Sequence, residues 1–297
     1  MPKVSIVVSG GSSKGAYQIG FFNALKKCGL VSSIEAVSAT SIGTINAYAF
    51  LTNKIDLAEQ LWLNLNVNGI WNFKSKIKNE NFLTNSLSKL ISENDYIYCD
   101  FYATLSEMST MSAQYFNLKG KINPLKKKIL ETSISIPLLT FPPFQQKDKI
   151  YFDGGVTDNI PITPIIDKKH DILFIVHFTP EYTIKSISTT LETDVIYINM
   201  SQSEKFKKGN FNFKREQVQE MIKEGERYTL LKINEYLLQK QQNTTYKRDI
   251  NYYYFSGASL LELLNRLLRI DKVKRILYIR NIKRKYKNLK EWCQRWN

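Results

Sequence analysis

Cysteine is scarce in this chain of 297 residues, which holds only Cys28, Cys99 and Cys293. Thiols so spaced form neither a disulfide framework nor a metal-ligand set, and their scarcity fits a reducing compartment. Long apolar runs are missing as well. None approaches the ~18 residues needed to cross a bilayer. The opening Met1-Pro2-Lys3-Val4-Ser5-Ile6-Val7-Val8 is interrupted by Ser9-Gly10-Gly11 too early to serve as a signal peptide. The expectation is a cytoplasmic protein that meets a membrane, if at all, peripherally on its inner face. Acidic residues run short in one region. From Ser201 to Asn297 there are 23 Lys and Arg against 10 Asp and Glu, so nearly all of the +15 net charge sits there.

An apolar fraction of 43% with 12% aromatics excludes wholesale disorder, and the length allows a substantial core. The shift in charge suggests one domain over 1–200 and a basic, mainly helical region over 201–297 packed on it. Val4 to Val8 is a short continuous apolar run, suited to a strand buried on both faces. Gly15 to Lys27 follows helical spacing, Ile34 to Val37 reads as a second strand, and Ile42 to Leu51 as a second helix. Strands alternating with helices through short connections predict an α/β fold with a parallel, helix-flanked sheet.

Further helices are predicted at Leu57–Leu65, Leu83–Ile91 and Pro124–Ser133, and a pair of strands at Phe101–Leu105 and Gln114–Leu118. Pro137, Pro142 and Pro143 force extended chain before a short strand, Lys149 to Phe152. Ile172–Phe178 and Val195–Asn199 are two more buried-type strands. Beyond them Glu216–Gln239, Ser259–Leu268 and Lys272–Trp296 read as helices rich in Lys and Arg, with Gln241–Thr245 as a connector.

Two glycine-marked turns join the first strands to the first helices. The earlier is Ser9-Gly10-Gly11-Ser12-Ser13-Lys14-Gly15 and the later Ala39-Thr40-Ser41-Ile42-Gly43. Glycines let a backbone approach an anion closely and offer it N–H donors at a helix start. That chemistry suits a phosphate or an oxyanion. The dinucleotide fingerprint lacks its middle glycine here, and Ser13-Lys14-Gly15 is not a P-loop ending. A serine is a poor nucleophile without a base beside it and donors for the oxyanion it creates. Small residues around Ser41 between strand and helix supply the sharp corner that exposes such a hydroxyl.

With Asp153-Gly154-Gly155-Val156 added, these segments resemble the patatin-like phospholipase family. The likeness extends through Ser133-Ile134-Ser135-Ile136-Pro137, Phe141-Pro142-Pro143 and Asp158-Asn159-Ile160-Pro161, and spans roughly Lys3 to Ser201. It implies a patatin-like three-layer sandwich and a lipid acyl hydrolase, of phospholipase A or lysophospholipase type, without cofactor or metal. Ser41 would be the nucleophile and Asp153 its base, with an acyl-enzyme intermediate. Gly10, Gly11, Ser12, Ser13, Lys14 and Gly15 would form the oxyanion loop, Ala39 and Gly43 the elbow, and Gly154 and Gly155 the motif after the base. Lys14 matches a basic family position without an assigned step.

Ala39 and Ser12 stand where the family usually has glycine. An alanine reaches positive φ only at a cost, so the elbow must be reached otherwise. A catalytically impaired binding or scaffold protein is therefore one alternative reading. The other is a Ser-His-Asp esterase or thioesterase using His170 or His177. His177 lies in a buried-type strand, and His170 sits in a charged surface turn beside Lys168, Lys169 and Asp171. Asp158 reads as a turn or capping residue before Ile160-Pro161.

In Lys272–Trp296, apolar residues recur every three or four positions opposite a basic face. A core-facing helix and a helix adsorbing to anionic lipid headgroups both fit that pattern. The partners implied are a phospholipid or lysophospholipid substrate and an anionic membrane surface. No nucleic-acid recognition motif accompanies the charge. A protein activator is left open.

Overall fold

A computed structural model of the chain describes residues 1–67, 72, 75, 82–135, 143–179, 185–188, 193–206, 213–241 and 249–252. The chain divides into two units, Met1–Phe255 and Ser256–Asn297, and every described residue belongs to the first. The helices expected at Ser259–Leu268 and Lys272–Trp296 lie outside the described residues, as do Pro137, Pro142 and the stretch of connector beyond Gln241.

The strands are β1 (Val4–Val8), β2 (Ile34–Thr40), β3 (Tyr96–Ile97), β4 (Asp100–Glu107), β5 (Ser112–Asn117), β6 (Gly120–Lys121), β7 (Phe144–Gln146), β8 (Lys149–Asp153), β9 (Ile172–His177), β10 (Lys185–Ser188), β11 (Asp194–Asn199) and β12 (Asp249–Tyr252). The helices are α1 (Gly15–Lys27), α2 (Ile42–Leu51), α3 (Ile55–Leu65), α4 (Phe82–Leu90), α5 (Pro124–Ser133) and α6 (Arg215–Gln241). Eight strands form one sheet in the order β11-β9-β1-β2-β4-β8-β7, with β5 also on β4. Its five strands from β11 to β4 are parallel, and β5, β8 and β7 are antiparallel additions. Helices flank this mostly parallel sheet, so the fold is α/β.

The apolar runs explain the sheet. β1 and β9 are buried at every position because parallel strands inside an α/β fold are covered on both faces. Val4, Ile6 and Val8 join the large helix-covered core, while Val7, between them, packs with Leu173, Ile175 and Val195 beneath Ile160, Ile162 and Ile165 on the other face. β2 runs three residues beyond the predicted Val37. Small side chains at Ser38, Ala39 and Thr40 carry no apolar signal, yet Val7 and Val8 pair with the first two, and Tyr102 to Thr104 with all three.

α6 belongs by charge to the basic C-terminal third but packs intimately against α1. A Cβ on Gly20 would come within 2.1 Å of the Ile222 carbonyl, and one on Gly225 within 2.1 Å of the Tyr17 carbonyl. The two helix backbones therefore touch, at a crossing only paired glycines permit. Among the described residues no helix is long and apolar enough to cross a membrane.

One feature of register sets up the site. β2 pairs with β4 only as far as Thr40 opposite Thr104, and then the chain turns off into α2. β5 occupies the other edge of β4 along its whole later half, so β8 must enter on the edge that β2 vacates. It does so with Asp153 opposite Leu105, one residue beyond the last pair of β2. The residue after β2 and the last residue of β8 thus become neighbours although 112 positions separate them.

Candidate active site

Ser41 occupies the corner between β2 and α2 with φ 56° and ψ −134°, a conformation costly for any residue with a side chain. The strain falls on Ser41 itself, and Ala39 is an ordinary buried strand residue paired with Val8 and Ala103. The family's glycine is thus not needed at that position to make the turn. Close packing holds the corner. A Cβ on Gly43 would reach 2.6 Å from the Ser9 carbonyl, and one on Gly10 would reach 2.8 Å from Ser41 Cβ. The half-buried hydroxyl stands at the N-terminus of α2, where the helix dipole favours developing negative charge.

The Ser41 hydroxyl donates to Asp153 Oδ2 at 2.6 Å. Asp153 Oδ1 accepts the Gly155 N–H at 2.8 Å, its own N–H donates to the Ser135 carbonyl at 3.2 Å, and Ser106 Oγ donates to its carbonyl at 2.9 Å. Four bonds thus leave the residue little freedom. It is 5% exposed. Burial pushes its pKa up to about 6, against the opposing pull of the Ser41 and Gly155 hydrogen bonds. An ordinary aspartate is a feeble base, and this one is tuned towards neutrality.

The glycine-rich turn lies against the same corner. The Ser9 carbonyl accepts Gln18 Nε2 at 2.6 Å, and the Gly10 N–H donates to the Asn159 carbonyl at 3.3 Å. Gly10 is therefore committed to holding the loop, although sequence reasoning counted it among the donors. The Gly11 N–H has no hydrogen-bond partner among the described residues. Ser12 adopts φ 52°, the left-handed conformation a glycine would take without strain. Ser13 is buried, and Lys14 sends its ammonium over the Phe178 ring at 5.7 Å.

Beside Ser41 is a cavity of about 120 Å³ with a wall that includes Ser12, Ile42, Trp62, Leu87 and Phe213. Trp62 stacks on Phe213, and its indole N–H donates to Asn46, whose amide in turn bonds Gln18. A buried polar chain therefore runs from the cavity wall to the Ser9 carbonyl. Sequence reasoning missed Gln18 and Asn46, because an amide inside a helical apolar pattern looks like an interruption. Asn159 was visible only as a neighbour of Asp158.

Asp158 is the turn residue expected, accepting the Ile160 N–H at 3.2 Å, and it also receives Tyr115 OH at 2.7 Å. Burial raises its pKa to about 6 as well. His177 is buried in β9, and Thr179 N–H donates to its Nδ1. His170 is not in a surface turn. It is 5% exposed and Thr193 Oγ1 donates to its carbonyl, because the segment before β9 is tied to Lys3 through the Asp171 and Ile172 N–H groups. Burial lowers the His177 imidazole to about 3 and that of His170 to about 4. The Asp153 carboxylate takes Ser41 and Gly155, not an imidazole.

A family model described as patatin-like phospholipase matches residues 6–166, over half of the chain. No curated protein matches it. Among solved structures, VipD from Legionella pneumophila is similar at 12% identity and a TM-score of 0.47, over 79% of this chain and 67% of that one. ExoU in its complex with SpcU, from the type III secretion system of Pseudomonas aeruginosa, is similar at 15% identity and a TM-score of 0.42, over 97% of this chain and 61% of that one. The chain thus spans about two thirds of the length of these two proteins.

Proposed function

The chain belongs to the patatin-like phospholipase family, and we propose that it is a lipid acyl hydrolase working through a Ser41–Asp153 dyad. The observation that carries this reading is the 2.6 Å hydrogen bond between a strained serine and a buried carboxylate with pKa raised to about 6. Asp153 accepts the Ser41 proton as Oγ attacks the ester carbonyl. The tetrahedral oxyanion is met by N–H donors of the Gly11–Ser13 loop and the start of α2. Its collapse expels the alcohol, which takes the proton from Asp153 and leaves an acyl-serine. Water then attacks the acyl group, giving its proton to Asp153; the second intermediate collapses, Ser41 Oγ leaves taking that proton back from Asp153, and the carboxylic acid departs.

The cavity beside Ser41 supports an acyl chain as the group held during this sequence, because its lining is almost wholly apolar. The substrate class is therefore a fatty-acyl ester, with phospholipid and lysophospholipid as the members the family suggests. A fluorophosphonate probe tests the dyad directly. It should label the wild type and not Ser41→Ala, while hydrolysis of a short-chain p-nitrophenyl ester disappears in parallel. A folded wild-type protein that takes no label and hydrolyses no ester would overturn the reading.

A further inference from the structure

Asn159 is neither nucleophile nor base, yet it adjoins both the glycine-rich loop and the corner that follows Asp153. Its carbonyl accepts the Gly10 N–H at 3.3 Å, and its side-chain Nδ2 donates to the Gly10 carbonyl at 3.4 Å. Its Oδ1 lies where a Cβ on Gly10 would come within 2.5 Å and a Cβ on Gly155 within 3.2 Å. The half-buried amide therefore stands between the glycine-rich loop and the Asp153-Gly154-Gly155 corner. Its segment is also tied to the elbow, since Thr40 Oγ1 donates to the Asp158 carbonyl at 2.9 Å. Tyr115 and the Ile160 N–H hold the Asp158 carboxylate from two sides.

These grips set two successive peptide planes. The plane between Ser9 and Gly10 is held at its oxygen by Gln18 and at its N–H by the Asn159 carbonyl. The plane between Gly10 and Gly11 is held at its oxygen by Asn159 Nδ2. In a trans peptide the N–H points opposite to the C=O, so the Gly11 N–H is turned away from the asparagine amide. That N–H is the group without a partner among the described residues. With glycine on both sides of the peptide bond, nothing intrinsic to the chain would hold the plane, since glycine populates both signs of φ about equally.

We propose that Asn159 is a positioning residue that aims the Gly11 N–H as an oxyanion donor for the reaction at Ser41. The inference rests on the dyad reading above. Removing one such donor elsewhere costs roughly 100- to 1,000-fold in kcat. A donor left in place but poorly aimed should cost less, about 30- to 100-fold. Asn159→Ala removes the side-chain grip. Asn159→Asp keeps the shape but sets an acceptor against the Gly10 carbonyl. Each should lower kcat on a short-chain ester by that factor with KM within about twofold.

A merely structural asparagine would not separate two inhibitors that this one should separate. An alkyl trifluoromethyl ketone adds Ser41 and carries an oxyanion, whereas the matching methyl carbinol fills the same space without one. In both variants the ketone's affinity should fall by about the same factor as kcat, and the carbinol's should stay within about twofold. Equal losses on both compounds, or ketone affinity within about threefold of wild type in a folded variant, overturn the proposal. If the variants do not fold, the wild type supplies the answer by NMR. The Gly11 amide proton should move downfield when the ketone adduct forms, and an unmoved resonance overturns the proposal. A wild type that forms no adduct and hydrolyses no ester instead brings down the dyad reading, and this inference with it.

Discussion

The turns after β1 and β2 stand side by side at one edge of the sheet and are held in opposite ways. The elbow at Ser41 is steric. A single residue takes the strain, and glycines at 10 and 43 let neighbouring backbone press against it. The turn from Ser9 to Gly15 is held from outside by hydrogen bonds, with Gln18 taking the Ser9 carbonyl and Asn159 both the N–H and the carbonyl of Gly10. The difference follows from the task. A nucleophile needs one atom in one place, and packing achieves that. An oxyanion donor needs a peptide plane at one orientation, and only a hydrogen bond on the opposite end of the plane controls that.

The largest effect should come from the elbow's partner. Asp153→Asn keeps an acceptor for the Gly155 N–H but removes the base, and should lower kcat/KM roughly 1,000-fold with little change in Tm. The wild-type pH profile sharpens the assignment. Because the Asp153 pKa is raised to about 6, the carboxyl is protonated below that value and cannot take the Ser41 proton. Activity should therefore fall about tenfold per unit as pH drops below about 6 and stay flat above it. The residual activity of Asp153→Asn should lack that acid limb, and a limb that survived would assign it to another group.

Gly10→Ala probes the point where the two turns meet. Its Cβ would meet both Ser41 Cβ and the Asn159 amide oxygen. Activity should fall by about 100-fold, measured as the fluorophosphonate labelling rate, because nucleophile and loop are displaced together. A variant that labels at the wild-type rate would mean that the turns do not press on one another.

The smallest effects should have opposite signs. Ser12→Gly relieves a left-handed residue and should raise stability by up to about 1 kcal/mol. Ala39→Gly places glycine in a buried strand and should lower it by roughly 0.5–1 kcal/mol without raising activity. Urea unfolding of both variants reads the pair. Two changes of the same sign would contradict the placement of strain at Ser12 and Ser41.

Much of the fold was legible because parallel strands in an α/β protein are buried on both faces. Val4–Val8 and Ile172–His177 announce themselves as apolar runs. The C-terminal end of β2 was not legible. Ser38, Ala39 and Thr40 are strand residues only because β4 supplies partners for all three and β1 for the first two. Residue types and spacing marked the Ser41 corner and the glycine-rich loop, the family resemblance supplied Asp153 as the base and the roles of all three, and the structure brings those residues together. The burial of His170 could not be foreseen, since its neighbours Lys168, Lys169 and Asp171 speak for solvent.

The division of labour has a physical cause. Local chemistry alone determines that small residues must surround a strand-to-helix serine, that glycines must precede α1, and that the apolar runs must be covered. Those constraints act within a few residues of the chain. The adjacency of Ser41 and Asp153 is decided by register, as β8 takes the edge of β4 that β2 has left. The raised pKa of Asp153 is decided by burial beneath residues far away in sequence. The hold on Gly10 comes from Asn159, 149 residues away. No local pattern encodes these, because each is a property of a space that several segments enclose together.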